Sequence, residues 1–144
     1  MSSRGVRVKA VLFDLGGTLI RTAKIPRILR RILEANGIKR SLKEISLAHK
    51  EMEKQFNLQE YAGPYEEFWI TWNLLILDKL GIHDNAQSLA TTIAEEWWDY
   101  SDVRLYPDAE GALKQLKSMG LKIGIVTNGL QSDIDEILRK VGLT

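Results

Sequence analysis

The chain has 144 residues, enough for one domain or for a small core with an insertion. Apolar residues make up 44% and charged residues 27%, which is typical of a soluble globular protein. Twenty Lys and Arg against nineteen Asp and Glu leave a net charge of +1, so charge gives no case for a nucleic acid or a membrane as partner. The lack of cysteine excludes disulfides, thiolate metal sites and a cysteine nucleophile. The apolar run near the N-terminus is too short for a signal peptide or a membrane span, and we expect a cytoplasmic protein.

The first predicted element is a strand over residues 8–13, VKAVLF. An almost unbroken apolar run of this length is typical of a parallel-sheet strand buried on both faces. It is followed at once by residues 14–18, DLGGT, which form turns. Asp14 is therefore a candidate nucleophile or metal ligand, and the N–H groups of residues 15–17 can point at an anion. The alternative is that Asp14 only caps the turn.

Apolar residues at helical spacing then predict four helices joined by short turns, a pattern typical of a small helical bundle. Pro26 fits the first turn of the first helix, and residues 41–44, SLKE, form a capping box at the start of the second. The four helices are predicted over residues 22–36, 41–56, 64–80 and 85–100. All four tryptophans lie on the last two helices and are predicted to be bundle core: Trp69, Trp72, Trp97 and Trp98.

The pattern of strands and helices returns after residue 106. The elements predicted there are a helix over residues 109–119, a strand over residues 121–126 (LKIGIV) with its turn at residues 127–129, and a helix ending near residue 141. Asp108 is expected to N-cap the first of these helices, and Ser132 or Asp133 the second.

Each predicted strand ends in a small polar loop that leads towards a helix. Because ligand sites of open parallel sheets lie outside the carboxyl ends of the strands, we expect Asp14 and Thr127 at the same edge of one sheet. The helical segment between them is an insertion over that edge, and we expect it to act as a lid.

Four features, in this order along the chain, resemble the haloacid dehalogenase superfamily. VLFDLGGTL resembles its first motif, an apolar strand followed by D-x-D-x-T, and the helical insertion resembles its type 1 cap. LYPDAEGALKQLKSMG resembles the helix before its second motif, and KIGIVTNG resembles that motif, an apolar strand ending in Thr or Ser. The resemblance implies an α/β fold, with an incomplete Rossmann-like parallel-sheet core (residues 1–20 and 104–144) and an inserted helical-bundle cap (residues 21–103).

The resemblance further implies a magnesium-dependent, phosphatase-like hydrolase that acts on a small phosphorylated substrate. Asp14 would attack the substrate and become the covalent aspartyl intermediate, and its carboxylate and the carbonyl of Gly16 would be magnesium ligands. Thr127 would hold an oxygen of the transferring phosphoryl group. The residues expected to bind the substrate or orient the loops are Gly16, Gly17, Thr18, Asn128 and Gly129.

The chain departs from the family pattern in two places. Gly16 replaces the second aspartate of the first motif, a general acid and base whose help is worth roughly 10²–10⁴-fold. We hypothesise that the protein favours substrates with good leaving groups, or that its aspartyl phosphate is long-lived. The later motifs, a lysine and an acidic pair, have no counterpart in residues 130–144 and are expected beyond Thr144. With one carboxylate, magnesium is expected to bind weakly.

Two other functions stay open, and one structural consequence follows. The chain is alternatively a truncated, non-catalytic fragment or pseudoenzyme whose bundle serves as an interaction surface, or a 2-haloacid dehalogenase, which would use no metal. In the fold that the chain resembles, the strand over residues 8–13 also pairs with a strand from a later segment. Its edge is therefore expected to be bare and apolar, and to be covered by a homo-oligomer or by more of a longer protein.

Overall fold

The computed structural model describes residues 7–57 and 60–143. Residues 1–6 of the predicted core and Thr144 lie outside the described residues. The chain divides into two compact units, a helical unit, Ala23–Asp102, and an α/β unit formed by the chain up to Thr22 and from Val103 onward. Residues 21, 22 and 103 fall in the α/β unit, because a short strand ending at Arg21 pairs there with the segment that follows Val103.

The described part of the helical unit contains the four predicted helices. They are α1 (Ile25–Ala35), α2 (Leu42–Gln55), α3 (Phe68–Lys79) and α4 (Ala86–Glu96). Two ends that were predicted to be α-helical are 3₁₀ turns instead, Tyr65–Glu67 before α3 and Trp97–Asp99 after α4. Helix ends often tighten in this way because i→i+3 bonds satisfy backbone groups that the α-helix leaves unpaired.

The N-cap half of the predicted capping box is confirmed at the start of α2. The hydroxyl oxygen of Ser41 accepts a hydrogen bond from the N–H of Glu44 at 3.1 Å, and the hydroxyl lies 3.2 Å from Glu44 Oε1. Helix α1 begins with Pro26 in its first turn, as predicted, and Gly37 follows its end with a φ of +79°. Glycine takes this left-handed angle without a steric cost, so Gly37 favours the end of the helix at this point.

The core of the helical unit consists of aliphatic side chains from all four helices together with aromatic side chains of α3. Leu33, Ile45, Ile76 and Ile93 are completely buried. Trp72 is buried as predicted, whereas Trp69 is 37% exposed, because it lies in the first turn of α3 at the edge of an aromatic cluster.

The described α/β unit contains four strands, β1 (Ala10–Phe13), β2 (Ile20–Arg21), β3 (Arg104–Leu105) and β4 (Lys122–Ile125). Strands β1 and β4 pair in parallel, as predicted, from Ala10 opposite Lys122 to Phe13 opposite Ile125. Strands β2 and β3 form a short antiparallel ribbon that the sequence analysis did not predict.

The two remaining helices, α5 (Pro107–Ser118) and α6 (Gln131–Val141), begin earlier than predicted. Asp108 does not cap α5, because the fixed φ of Pro107 starts the helix and places Asp108 in its first turn. Neither Ser132 nor Asp133 caps α6. Leu130 already has the extended backbone of an N-cap residue, and its carbonyl accepts the N–H of residue 134 at 3.0 Å.

The expectation that β1 is buried on both faces is wrong for the described chain. Leu12 is 67% exposed and Val8 is 59% exposed. A strand is buried on both faces only where helices cover both sides of the sheet, and the described residues provide no such cover over Leu12. Among the described residues β1 pairs with β4 alone, so its other edge has no strand partner there. Coverage of this edge by a homo-oligomer or by more of a longer protein stays a prediction.

Nowhere in residues 7–57 and 60–143 is there a helix with the length and hydropathy needed to span a membrane.

Candidate active site at the strand ends

The carboxyl ends of β1 and β4 lie side by side. Phe13 is opposite Ile125, and the N–H of Val126 continues the pairing by donating to the Phe13 carbonyl at 2.9 Å. Asp14 is the next residue after β1, and Thr127 is the second after β4. Because paired strands lie about 4.8 Å apart, the structure brings these two predicted site residues to neighbouring positions at one sheet edge.

The Asp14 carboxylate is held by its own loop. The N–H of Leu15 donates to Asp14 Oδ1 at 2.8 Å, whereas Oδ2 accepts no hydrogen bond from the described residues. Asp14 is exposed as a residue. A carboxylate with one oxygen held by the backbone and one without a hydrogen bond from the described residues is compatible with a nucleophilic role.

The loop after Asp14 folds around the carbonyl of Leu15. This oxygen accepts the N–H groups of Thr18, Leu19 and Ile20 at 3.3, 3.0 and 3.1 Å. Leu15 and Leu19 are 2% and 3% exposed, so two apolar side chains anchor the loop in the α/β unit. The loop is thus a small structure held together by its own backbone hydrogen bonds.

These internal bonds correct the expectation that the N–H groups of residues 15–17 all point at an anion. The N–H of Leu15 is engaged by Asp14, and the N–H of Gly17 donates to the carbonyl of Ile20 at 3.0 Å. The tight turn satisfies its own donors because backbone groups left unpaired are costly. Of the three expected donors, the N–H of Gly16 is the one that donates to no described residue.

Gly16, Gly17 and Thr18 have different local surroundings. Gly17 has a φ of +78°, which glycine tolerates and other residues rarely adopt. Gly16 has no such angle, its carbonyl accepts no hydrogen bond from the described residues, and a Cβ built on it would meet nothing within 4 Å. Thr18 is exposed, and its hydroxyl forms no hydrogen bond with the described residues.

The second loop runs from Val126 to the start of α6. Thr127 is half-buried, and its Oγ1 lies 4.0 Å from the position that a Cβ on Gly129 would take. Asn128 and Gly129 are exposed and form a bend before the helix. Because unpaired N–H groups at a helix N-terminus favour negative charge, this loop suits an anionic ligand.

The two groups expected to hold magnesium, the Asp14 carboxylate and the Gly16 carbonyl, are both oxygen donors and belong to the loop after β1. The described residues contain no group of three histidine or acidic side chains that could hold a metal ion. Two carboxylates of α6 are engaged elsewhere, because Asp135 accepts from Gln131 at 2.9 Å and Glu136 pairs with Arg139. The donor set fits an ion that is completed by water and by substrate oxygens, as magnesium often is.

The sequence pointed to the N–H of Leu15 as a donor to an anion, but not to its bond with Asp14 or to the role of the Leu15 carbonyl in organising the loop. The sequence does contain a signal for this role, because Leu15 is a single apolar residue between Asp14 and two glycines. The structure also contains a groove of about 970 Å³ between α5, β4 and α6, lined mainly by leucine and isoleucine. None of the predicted site residues lines this groove, so the candidate site is the strand edge and not the groove.

Comparisons with known proteins identify the family of the chain. A family model described as haloacid dehalogenase-like hydrolase matches residues 8–144. The chain is 31% identical over 137 residues to a glyceraldehyde 3-phosphate phosphatase of Methanopyrus kandleri, covering 94% of this chain and 58% of that protein. It is 27% identical over 124 residues to a glyceraldehyde 3-phosphate phosphatase of Pyrococcus abyssi, covering 85% of this chain and 50% of that protein.

The fold is also similar to that of YfnB from Bacillus subtilis, with a TM-score of 0.68 and 18% identity over 96% of this chain and 61% of that one. At this identity the likeness shows the fold alone. The chain spans about half the length of the curated relatives it matches. The family model covers nearly all of the chain and includes both strand-end loops, and the chain therefore belongs to the haloacid dehalogenase-like hydrolase family.

Proposed function

We propose that this protein is a phosphatase that acts on a small phosphorylated metabolite, with Asp14 as its nucleophile. The observation that carries the proposal is the Asp14 carboxylate at the end of β1, with Oδ1 held by the N–H of Leu15 and Oδ2 available. The neighbouring strand end presents Thr127. Two relatives with phosphatase names support the same reaction class.

The proposed reaction has two steps. Asp14 Oδ2 attacks phosphorus, the bond to the leaving oxygen breaks, and the phosphoryl group is bound to Asp14 as an acyl phosphate. Water then attacks the phosphorus, releases inorganic phosphate and restores the carboxylate. Thr127 and the N–H groups of Asn128 and Gly129 hold phosphoryl oxygens, because phosphoryl transfer depends mainly on positioning and charge compensation.

Magnesium is part of the proposal as a weakly bound ion held by the Asp14 carboxylate and the Gly16 carbonyl. When bound, such an ion compensates the negative charge of the phosphoryl oxygens. We also propose that the helical unit, Ala23–Asp102, is the cap that selects the substrate.

The experiment is a steady-state assay of the full-length protein with acetyl phosphate, p-nitrophenyl phosphate and glyceraldehyde 3-phosphate in the presence of magnesium. We expect Asp14→Asn to abolish turnover and Thr127→Ala to lower kcat by about 10²–10³-fold, the usual effect of losing one donor to a developing charge. Asp108→Asn is the matched control, because it removes a carboxylate from the first turn of α5 and leaves both strand-end loops intact.

Two outcomes would count against the proposal. Turnover that persists in Asp14→Asn would exclude this residue as the nucleophile. A wild-type protein that hydrolyses none of the three compounds would favour the non-catalytic alternative.

A further inference from the structure

The two loops at the candidate site contain very few groups that can carry a proton. Residues 14–19 are DLGGTL and residues 126–130 are VTNGL. Asp14 is the one titratable side chain among them, and the remaining polar side chains are two hydroxyls and an amide, which do not release a proton near neutral pH. If Asp14 attacks phosphorus, neither loop supplies a second group to protonate the leaving oxygen.

The packing around position 16 leaves space for a side chain. Position 17 favours glycine because its φ is +78°. Gly16 has no such angle and is exposed, and a Cβ there would meet nothing within 4 Å. A longer side chain at position 16 is therefore compatible with the loop, in which the N–H of the preceding residue holds Asp14 Oδ1.

We infer that Gly16 determines the leaving-group specificity of this site: it selects acyl and aryl phosphates over alkyl phosphates and lets the aspartyl phosphate on Asp14 accumulate. The inference rests on the proposed function. A leaving group that is stable as an anion departs without a proton, whereas an alkoxide does not, and general acid help at this step is worth roughly 10²–10⁴-fold.

Both steps balance without a further reactant except water. In the first step Asp14 Oδ2 forms a bond to phosphorus, and the phosphorus–oxygen bond of the substrate breaks with its electron pair on the leaving carboxylate or phenolate. In the second step water adds to phosphorus, and the bond to Asp14 breaks. The water loses its proton to solvent, since neither loop offers a second base. The second step is therefore slow relative to the first for a good leaving group.

The test compares acetyl phosphate, p-nitrophenyl phosphate and glycerol 3-phosphate as substrates of the full-length wild-type protein and of two variants, Gly16→Asp and Gly16→Asn. The variants have side chains of the same size and shape, and only the first can donate a proton. The readouts are kcat/KM for each substrate and the pre-steady-state burst of p-nitrophenol. Circular dichroism confirms that each variant is folded.

We expect the wild-type protein to show a burst and a kcat/KM that falls steeply from acetyl phosphate to glycerol 3-phosphate. We expect Gly16→Asp to raise kcat/KM for glycerol 3-phosphate by about 10²-fold or more and to remove the burst, and Gly16→Asn to do neither.

Similar wild-type kcat/KM values for all three substrates would overturn the inference, even if the Gly16→Asp protein does not fold. An equal gain from Gly16→Asn would also overturn it, because the gain would not then come from a proton. These results leave Asp14 as the nucleophile, whereas a wild-type protein inactive on all three substrates would instead contradict the proposed function.

Discussion

The loop that holds Asp14 contains two consecutive glycines, and alanine substitutions at these two positions can be compared directly. A methyl group at Gly16 or at Gly17 would meet nothing within 4 Å, so neither Gly16→Ala nor Gly17→Ala creates a clash. The two positions differ in backbone conformation, because only Gly17 has a left-handed φ, +78°. The structure therefore predicts that Gly17→Ala destabilises the α/β unit and that Gly16→Ala does not.

The expected magnitude follows from this difference. An alanine at a left-handed position costs about 1–2 kcal/mol relative to a right-handed one. Both variants also stabilise the folded state by about 0.4–1 kcal/mol, because alanine restricts the unfolded chain more than glycine does. The second effect is common to both variants and cancels. Gly17→Ala is therefore expected to be less stable than Gly16→Ala by about 1–2 kcal/mol.

The assay must report on the α/β unit, and tryptophan fluorescence does not, because all four tryptophans lie in the helical unit. Amide hydrogen exchange is suitable, since the N–H groups of Ile20 and Val126 donate to the carbonyls of Leu15 and Phe13. We expect these amides to exchange about 5–30 times faster in Gly17→Ala than in Gly16→Ala. Equal rates, or faster exchange in Gly16→Ala, would refute the left-handed turn at Gly17.

Two further predictions concern the helical unit and are measured by urea unfolding with tryptophan fluorescence. Ser41→Ala removes the N-cap of α2 and is expected to lower the free energy of unfolding by about 1 kcal/mol, whereas Ser88→Ala, an exposed position of α4, leaves it nearly constant. Leu33→Ala removes a completely buried side chain and is expected to cost about 2–5 kcal/mol. The control Leu47→Ala, at a site 55% exposed, is expected to stay within about 0.5 kcal/mol, and equal effects in either pair would contradict the described packing.

The parts of the structure that the sequence predicts well depend on local signals. The N-cap at Ser41 needs only four neighbouring residues, and it is present as predicted. The four helices follow from apolar periodicity over many residues. The juxtaposition of Asp14 and Thr127 follows from two apolar runs, because parallel strands place their carboxyl ends at one edge.

The parts that the sequence does not predict depend on distant partners or on backbone angles. The burial of Leu12 is set by what covers the sheet, and a strand's own residues do not carry that information. The ribbon of β2 and β3 has two residues in each strand, too few for an alternating pattern to be recognised. The hydrogen bonds that engage the N–H groups of Leu15 and Gly17 depend on the path of the loop, which residue types alone do not specify.

Formation of a phosphorylated intermediate on Asp14 is measured by mass spectrometry of the acid-quenched full-length protein after mixing with acetyl phosphate and magnesium. We expect the peptide containing Asp14 to gain the mass of one phosphoryl group during turnover. Asp14→Asn is expected to show no such gain, and Asp108→Asn is expected to show it as the wild-type protein does. Turnover without phosphorylation of this peptide, or a phosphoryl group on a different residue, would exclude Asp14 as the nucleophile.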